Sequence, residues 1–285
     1  MRLPVIQKKG HSLIVDISAP VSYANQLGLD MSLAPNHAIL AQLMSRIVSV
    51  SHIPATGLQL DANYGLPLWS TLKPDCGLIL RLEADEGSDN PGLVPTLASD
   101  WGVENIKENY ALASLKLWYH PQEEQALLKK QFVVEVHDYC RYQGIDLLVE
   151  LFMYPLTEEE KNKQAFTDLQ LTAVTEFRSA CEVIGLQSPE DPLSSATLTA
   201  ELDIPWLVML NPPTYDQAKD LLRLSLENGA AGAIVGDVLW NDMYHFRRKD
   251  AGLDVTKMQD FITTNVQDRL IEMHRIIFET ASFLT

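Results

Sequence analysis

The sequence predicts an α/β protein, a (β/α)8 TIM barrel with an extra C-terminal helix. Eight short apolar runs alternate with longer amphipathic stretches at roughly 30 residues per unit, the rhythm of a barrel of alternating strands and helices. The glycine-rich fingerprints GxGxxG and GxxxxGK[ST] are absent, so the competing doubly wound nucleotide-binding sheet loses support. A chain of 285 residues, 46% hydrophobic and 21% charged, suits one such domain. The barrel is expected over 1–253 and the helix over 254–285, packed on the barrel or at an oligomer interface.

The expected strands are "SLIVD" (12–16), "TGLQLD" (56–61), "GLILRLE" (77–83), "LASLKLW" (112–118), "DLLVEL" (146–151), "CEVIGLQ" (181–187), "WLVMLN" (206–211) and "GAIVGD" (232–237). Each has strand length and is rich in leucine or β-branched residues. Helical periodicity is clearest over 121–143, 164–179 and 214–228. The last follows "NPPTYD", a helix-start signal, places Ala218, Leu221, Leu222 and Leu226 on one face, and stops at Gly229. In the C-terminal helix Phe261, Val266, Leu270, Met273 and Ile277 make an apolar stripe, suited to covering the barrel or to a homo-oligomer contact.

A net charge of −16 argues against nucleic acid and anionic membranes as partners, because both demand basic patches. The compact basic run Arg247-Arg248-Lys249 and the acidic clusters at 83–89 and 158–160 read as solvated loops. Cys76, Cys140 and Cys181 lie far apart, which suits a reducing compartment and offers no structural zinc. The N-terminus lacks a signal-peptide pattern and no apolar run has transmembrane length, so a cytoplasmic protein with no membrane partner is expected.

In such barrels the site lies at the C-terminal ends of the strands. Those ends are Asp16, Asp61, Glu83, Lys116, Glu150, Gln187, Asn211 and Asp237. Asp61, Glu83, Asn211 and Asp237 suit either substrate contacts or the turns and caps that open βα loops. Lys116 and Glu150 differ, because each sits inside an apolar run where an unpaired charge would cost several kcal/mol. Both are expected to point into the barrel mouth and to meet each other or Asp16. A lysine there serves as a Schiff-base nucleophile or an electrostatic clamp, with Glu150 or Asp16 moving protons. His120, in "KLWYHP", is a further acid/base candidate. The histidines show no close pairing of the HExxH kind, so no metal and no cofactor is expected.

Phosphate is disfavoured at the usual place, the loops after strands 7 and 8. Strand 7 runs into Asn211-Pro212-Pro213, and proline has no N–H to donate. Strand 8 ends at Gly236-Asp237, which sets a negative charge where a phosphate would lie.

From about residue 10 to 243 the chain resembles the class I tagatose 1,6-bisphosphate aldolases and the related sulfofructose-phosphate aldolases. The resemblance rests on "LQLDANYGLPL" (58–68), "GLVPTLASDWGVENIKE" (92–108), "LKLWYHP" (115–121), "LLVELFMYP" (147–155) and "IPWLVMLNPPTYDQAKDLLRLSLENGAAGAIVGDVLWND" (204–242). It implies a (β/α)8 barrel that cleaves a ketose phosphate through a lysine Schiff base without metal. Asp16, Lys116 and Glu150 match the family's proton-handling residues on strands 1, 4 and 5. The family's strand 6 motif Lys-Val-Glu-x-Pro is here Gly185-Leu186-Gln187-Ser188-Pro189, so the resemblance implies a lost nucleophile at Gly185. The family's arginine after the strand 1 aspartate, its small-residue turn after strand 7 and its strand 8 arginine are also replaced.

Three functions follow as expectations. The first is a lyase-type enzyme with altered chemistry on a non-phosphorylated carbonyl compound or sugar, working through Lys116, Glu150 and Asp16. The second is a pseudoenzyme with a binding, regulatory or assembly role. The third, an active ketose-bisphosphate aldolase, is disfavoured by the missing groups. Between the first two, the question is whether space opened at Gly185 admits a different ligand beside Lys116.

Overall fold

A computed structural model describes residues 10–72, 75–84, 90–248 and 252–283. The first nine residues, most of the acidic stretch at 83–89 and Lys249 of the basic run lie outside them. Strands β1 (Ser12–Asp16), β2 (Gly57–Leu60), β3 (Gly77–Arg81), β4 (Leu112–Tyr119), β5 (Leu147–Met153), β6 (Val183–Gln187), β7 (Trp206–Leu210) and β8 (Gly232–Val235) close a parallel barrel in chain order, β8 pairing with β1. The (β/α)8 architecture is the one the alternation of runs predicts.

Helices α1 (Pro20–Leu27) and α2 (Ala34–Ser51) follow β1, and α3 (Gly65–Leu72), α4 (Val103–Glu108), α5 (Ala126–Gln143), α6 (Lys163–Phe177), α7 (Pro192–Glu201) and α8 (Tyr215–Glu227) follow β2 to β7 in turn. Helix α5 starts later than the pattern at 121 suggests. The chain first makes a turn in which the His120 N–H donates to Glu123 Oε1 at 2.9 Å. Strands β4 and β5 run on to Tyr119 and Met153, past the expected ends at 118 and 151, because they stay paired from Lys116↔Glu150 to Tyr119↔Met153.

The C-terminal helix is present as α9 (Val255–Phe261) and α10 (Gln267–Phe283), joined by a π-helical turn over Ile262–Val266. Asp254 caps its start by accepting the Lys257 N–H at 3.2 Å. Among the described residues between β8 and this helix stand short 3-10 turns and an isolated bridge of Arg247 with Leu253, so it serves as the helix of the eighth β/α unit. Val266, Leu270, Met273 and Ile277 are fully buried, and α10 packs on α2, α8 and β1. The apolar stripe is therefore barrel covering; Phe261 is half-buried against Phe246, ring centroids 5.5 Å apart.

Strand alternation divides the core in two. Leu13, Val15, Leu58, Leu80, Leu115, Val149 and their neighbours face the helices. Ile14, Ile79, Leu112, Leu148, Val183, Leu207 and Ile234 fill the barrel interior. Above that plug the inward positions on β1 to β5 turn polar, and the candidate site begins there.

Candidate active site

Lys116 and Glu150 are register partners on neighbouring strands and sit one strand step above the apolar plug. Lys116 Nζ lies over the Phe152 ring, 4.9 Å from its centroid, and Trp118 packs on the same ring at 5.1 Å. Glu150 is buried, and the Gln59 amide donates to its Oε1 at 2.5 Å. Burial pushes the Glu150 carboxyl up to about 8; the Asp16 charge adds to the rise, while the Gln59 hydrogen bond and Lys116 oppose it. Asp16 closes β1, where its Oδ1 accepts the Ser18 N–H at 2.9 Å and the Ser18 hydroxyl at 2.6 Å.

Below and beside this trio lies a second buried pair. Arg81 Nε stands 3.3 Å from Glu83 Oε1, and Arg81 also donates to the Ser18 carbonyl at 2.8 Å, which ties β3 to the loop holding Asp16. Burial pushes the Glu83 carboxyl up to about 7 against the pull of Arg81. Asp237 is raised as well, by burial first; Gln26 at 2.7 Å and Tyr244 at 3.2 Å donate to it.

Asp16, Lys116, Glu150, Asn211 and Asp237 meet around a cavity of about 130 Å³, with Phe152, Met209 and Ile234 in its wall. Gln187 lines a larger neighbouring cavity of about 630 Å³ and accepts the Met153 N–H at 2.7 Å. The remaining sequence candidates stand elsewhere. Asp61 follows the last residue of β2, and its carboxylate takes the N–H groups of Asn63, Tyr64 and Gly65 at 2.8 to 2.9 Å, so it caps the turn into α3. Glu83 pairs with Arg81, is not among the residues lining the cavity, and lies close enough to Glu150 to add to the rise of its carboxyl. His120 is buried in the β4–α5 turn, its Nε2 3.2 Å from Glu160 and its Nδ1 accepting the Gln122 N–H at 3.0 Å. Asp61 and His120 thus have structural partners in the turns that follow β2 and β4, and Glu83 lies two residues past β3, on the parity of Ile79 and Arg81.

The interior at Gly185 is filled. A Cβ placed there would lie 3.0 Å from Ile234 Cδ1 and 3.3 Å from both Glu150 Cγ and Met209 Sδ. No open space for a ligand exists at that point, and a long side chain on β6 would need its neighbours to move.

Gln59, Arg81 and Phe152 complete the site, and none of them is among the strand-end candidates read from the sequence. The signal for Gln59 and Arg81 is parity: in "GLQLD" Gln59 alternates with the outward Leu58 and Leu60, and in "LILRLE" Arg81 shares the parity of the inward Ile79. Among the described residues, no group of three or more His, Cys, Asp or Glu is placed to hold a metal ion, and no helix is long and apolar enough to cross a membrane.

The chain is a (β/α)8 barrel similar in sequence and fold to aldolases. No family model matches the chain. Tagatose 1,6-diphosphate aldolase 2 of Enterococcus faecalis is 22% identical over 261 residues, covering 80% of this chain and 78% of that one. The tagatose 1,6-diphosphate aldolase of Staphylococcus epidermidis is 26% identical over 148 residues, 49% of this chain and 46% of that one. The fold is shared with an archaeal fructose-1,6-bisphosphate aldolase solved with its catalytic lysine bound to the carbinolamine intermediate, at TM-score 0.66, 14% identity and 97% coverage of both chains. It is also shared with the fructose-bisphosphate aldolase of Plasmodium falciparum, at TM-score 0.66, 11% identity, 98% of this chain and 93% of that one.

Proposed function

We propose that the chain is a carbon–carbon lyase of altered aldolase type, acting on a small, non-phosphorylated carbonyl compound or sugar. The observation that carries this reading is the meeting of Lys116, Glu150 and Asp16 around one small cavity beside an apolar β6–β8 wall. The tagatose 1,6-diphosphate aldolase relatives support an aldol reaction. Pro212, Pro213 and Asp237 at the mouth weigh against a bisphosphate as its substrate.

In the covalent form of this mechanism, the unprotonated Lys116 amine adds to the substrate carbonyl carbon. The carbinolamine oxygen takes a proton from Glu150 and leaves as water, giving the protonated imine (iminium). Asp16 then removes the proton of the hydroxyl two carbons along, the carbon–carbon bond breaks, and its electron pair passes to the imine nitrogen. Burial keeps the Glu150 carboxyl, at about 8, protonated near neutral pH, as this donor role requires.

The expected result of borohydride trapping with dihydroxyacetone or glyceraldehyde is a mass adduct on Lys116, absent from Lys116→Met. A second reading, a pseudoenzyme, is favoured by Phe152 lying on Lys116 and by the filled space at Gly185. It gains the ground if wild type shows neither an adduct nor ligand-induced thermal stabilisation across such compounds.

A further inference from the structure

The cavity under Asp16, Lys116 and Glu150 holds about 130 Å³. That is close to the ~150 Å³ apolar cavity known to accept one benzene ring, and well below the roughly 300–1,000 Å³ of ordinary ligand pockets. By itself it takes the reacting end of a molecule and little more. Along β7 it adjoins the cavity of about 630 Å³, with Met209 and Asn211 in the walls of both. Joined, the two fall within the range of ordinary ligand sites.

The larger cavity has a distinct chemistry. Gln187, Ser188, Asn211 and Gln217 supply uncharged donors and acceptors, and Phe166 offers an apolar face of the kind that sugar C–H groups pack on. Its lysines are already matched: Lys163 Nζ is 3.2 Å from Glu190, and Lys161 Nζ is 2.6 Å from Glu158. Pro212 and Pro213 present no N–H, so the loop after β7 cannot build the backbone cradle that anions use. Asp220 adds a further negative charge to the lining.

From this juxtaposition we infer that the two cavities form one elongated site for an acyclic polyhydroxy ketone. Its carbonyl end lies in the small cavity and its uncharged, hydroxyl-bearing tail runs past Asn211 into the groove between β6 and β7. The inference rests on the lyase reading above and adds the substrate's length and direction.

The test is calorimetric binding of dihydroxyacetone, erythrulose, xylulose and xylulose 5-phosphate to the full chain. The dissociation constant is expected to fall at least tenfold from dihydroxyacetone to xylulose, with the 5-phosphate within tenfold of xylulose. Gln217→Trp, which fills the groove, is expected to bring the xylulose-to-dihydroxyacetone affinity ratio close to one. Should that variant fail to fold, the wild-type series decides alone. Xylulose binding no tighter than dihydroxyacetone overturns the inference while leaving the lyase reading intact. A 5-phosphate bound more than tenfold tighter than xylulose overturns the inference and, with it, the non-phosphorylated substrate of the lyase reading. Binding by none of the four, dihydroxyacetone included, removes the lyase reading and this inference with it.

Discussion

From β1 to β5 the inward positions at the barrel mouth are Asp16, Gln59, Arg81, Lys116 and Glu150, with Glu83 beside them; from β6 to β8 they are Gly185, Gln187, Met209 and Ile234. One arc buries a connected set of titratable groups, and the other has no titratable group and is closely packed at Gly185. Buried charge is expensive, and apolar side chains of similar volume would hold the same strands together as well or better. The polar arc thus carries a cost that packing does not require, whereas the apolar arc has none to carry. That contrast is the physical ground for placing chemistry on β1, β4 and β5, and for treating β6 to β8 as the wall against which a ligand rests.

The largest effect expected from this asymmetry is on stability against pH. Glu83 and Glu150 are raised from the ordinary 4.5 to about 7 and about 8 in the folded chain. A raised carboxyl holds its proton in the folded state after the unfolded chain has released it, so stability falls as pH rises. The loss begins near 4.5 and is complete above the folded values, about 7 and about 8. For Glu83 alone it amounts to about 3 kcal/mol. Urea unfolding from pH 4.5 to 9 is expected to show this decline. Glu150→Gln and Glu83→Gln should each flatten it and be more stable than wild type at pH 9. A flat wild-type profile would mean that the polar arc is more hydrated than its burial indicates.

A smaller effect is expected on the apolar arc. Gly185→Lys forces a long side chain against Ile234, Met209 and Glu150, and overpacking of this kind costs about 1–3 kcal/mol. Ile234→Ala in the same chain should recover more than additivity allows, because it empties the space that the new side chain needs. Chemical denaturation of the two single variants and the double variant measures the coupling. Additive effects would show that Ile234 is not what closes the position.

Much of this was legible in the sequence, and the failures have a common cause. The eight strands appear as apolar runs because a barrel strand is buried on both faces. Lys116 and Glu150 stand out as charges inside such runs. Gln59 and Arg81 lie in the same kind of run and follow the same parity, but what each meets is set by other elements: Glu150 on β5 for Gln59 and the Ser18 carbonyl after β1 for Arg81. Asp61 and His120 directly follow the last residues of β2 and β4, so the local turn sets their direction. Asp61 meets three backbone N–H groups before any ligand could. The packing at Gly185 was not legible either, because it depends on side chains from β5, β7 and β8.

The smallest effect, and the finest probe of the polar arc, belongs to Gln59. Its Nε2 donates to Glu150 while its Oε1 is buried without a hydrogen-bond partner. Replacing it with leucine removes both the favourable contact and the unsatisfied oxygen. At pH 5, where Glu150 is neutral, these changes offset one another and Gln59→Leu should be nearly silent. At pH 9 Glu150 is ionised, the lost hydrogen bond is charge-assisted, and the variant should be destabilised by about 1–2 kcal/mol. The Glu150 carboxyl should titrate higher in the variant, since the donor that opposes its rise is gone. Carboxyl 13C shifts followed against pH, together with the two unfolding curves, separate this from a packing effect: an equal loss of stability at both pH values would reduce Gln59 to a core side chain and leave Glu150 oriented by its strand alone.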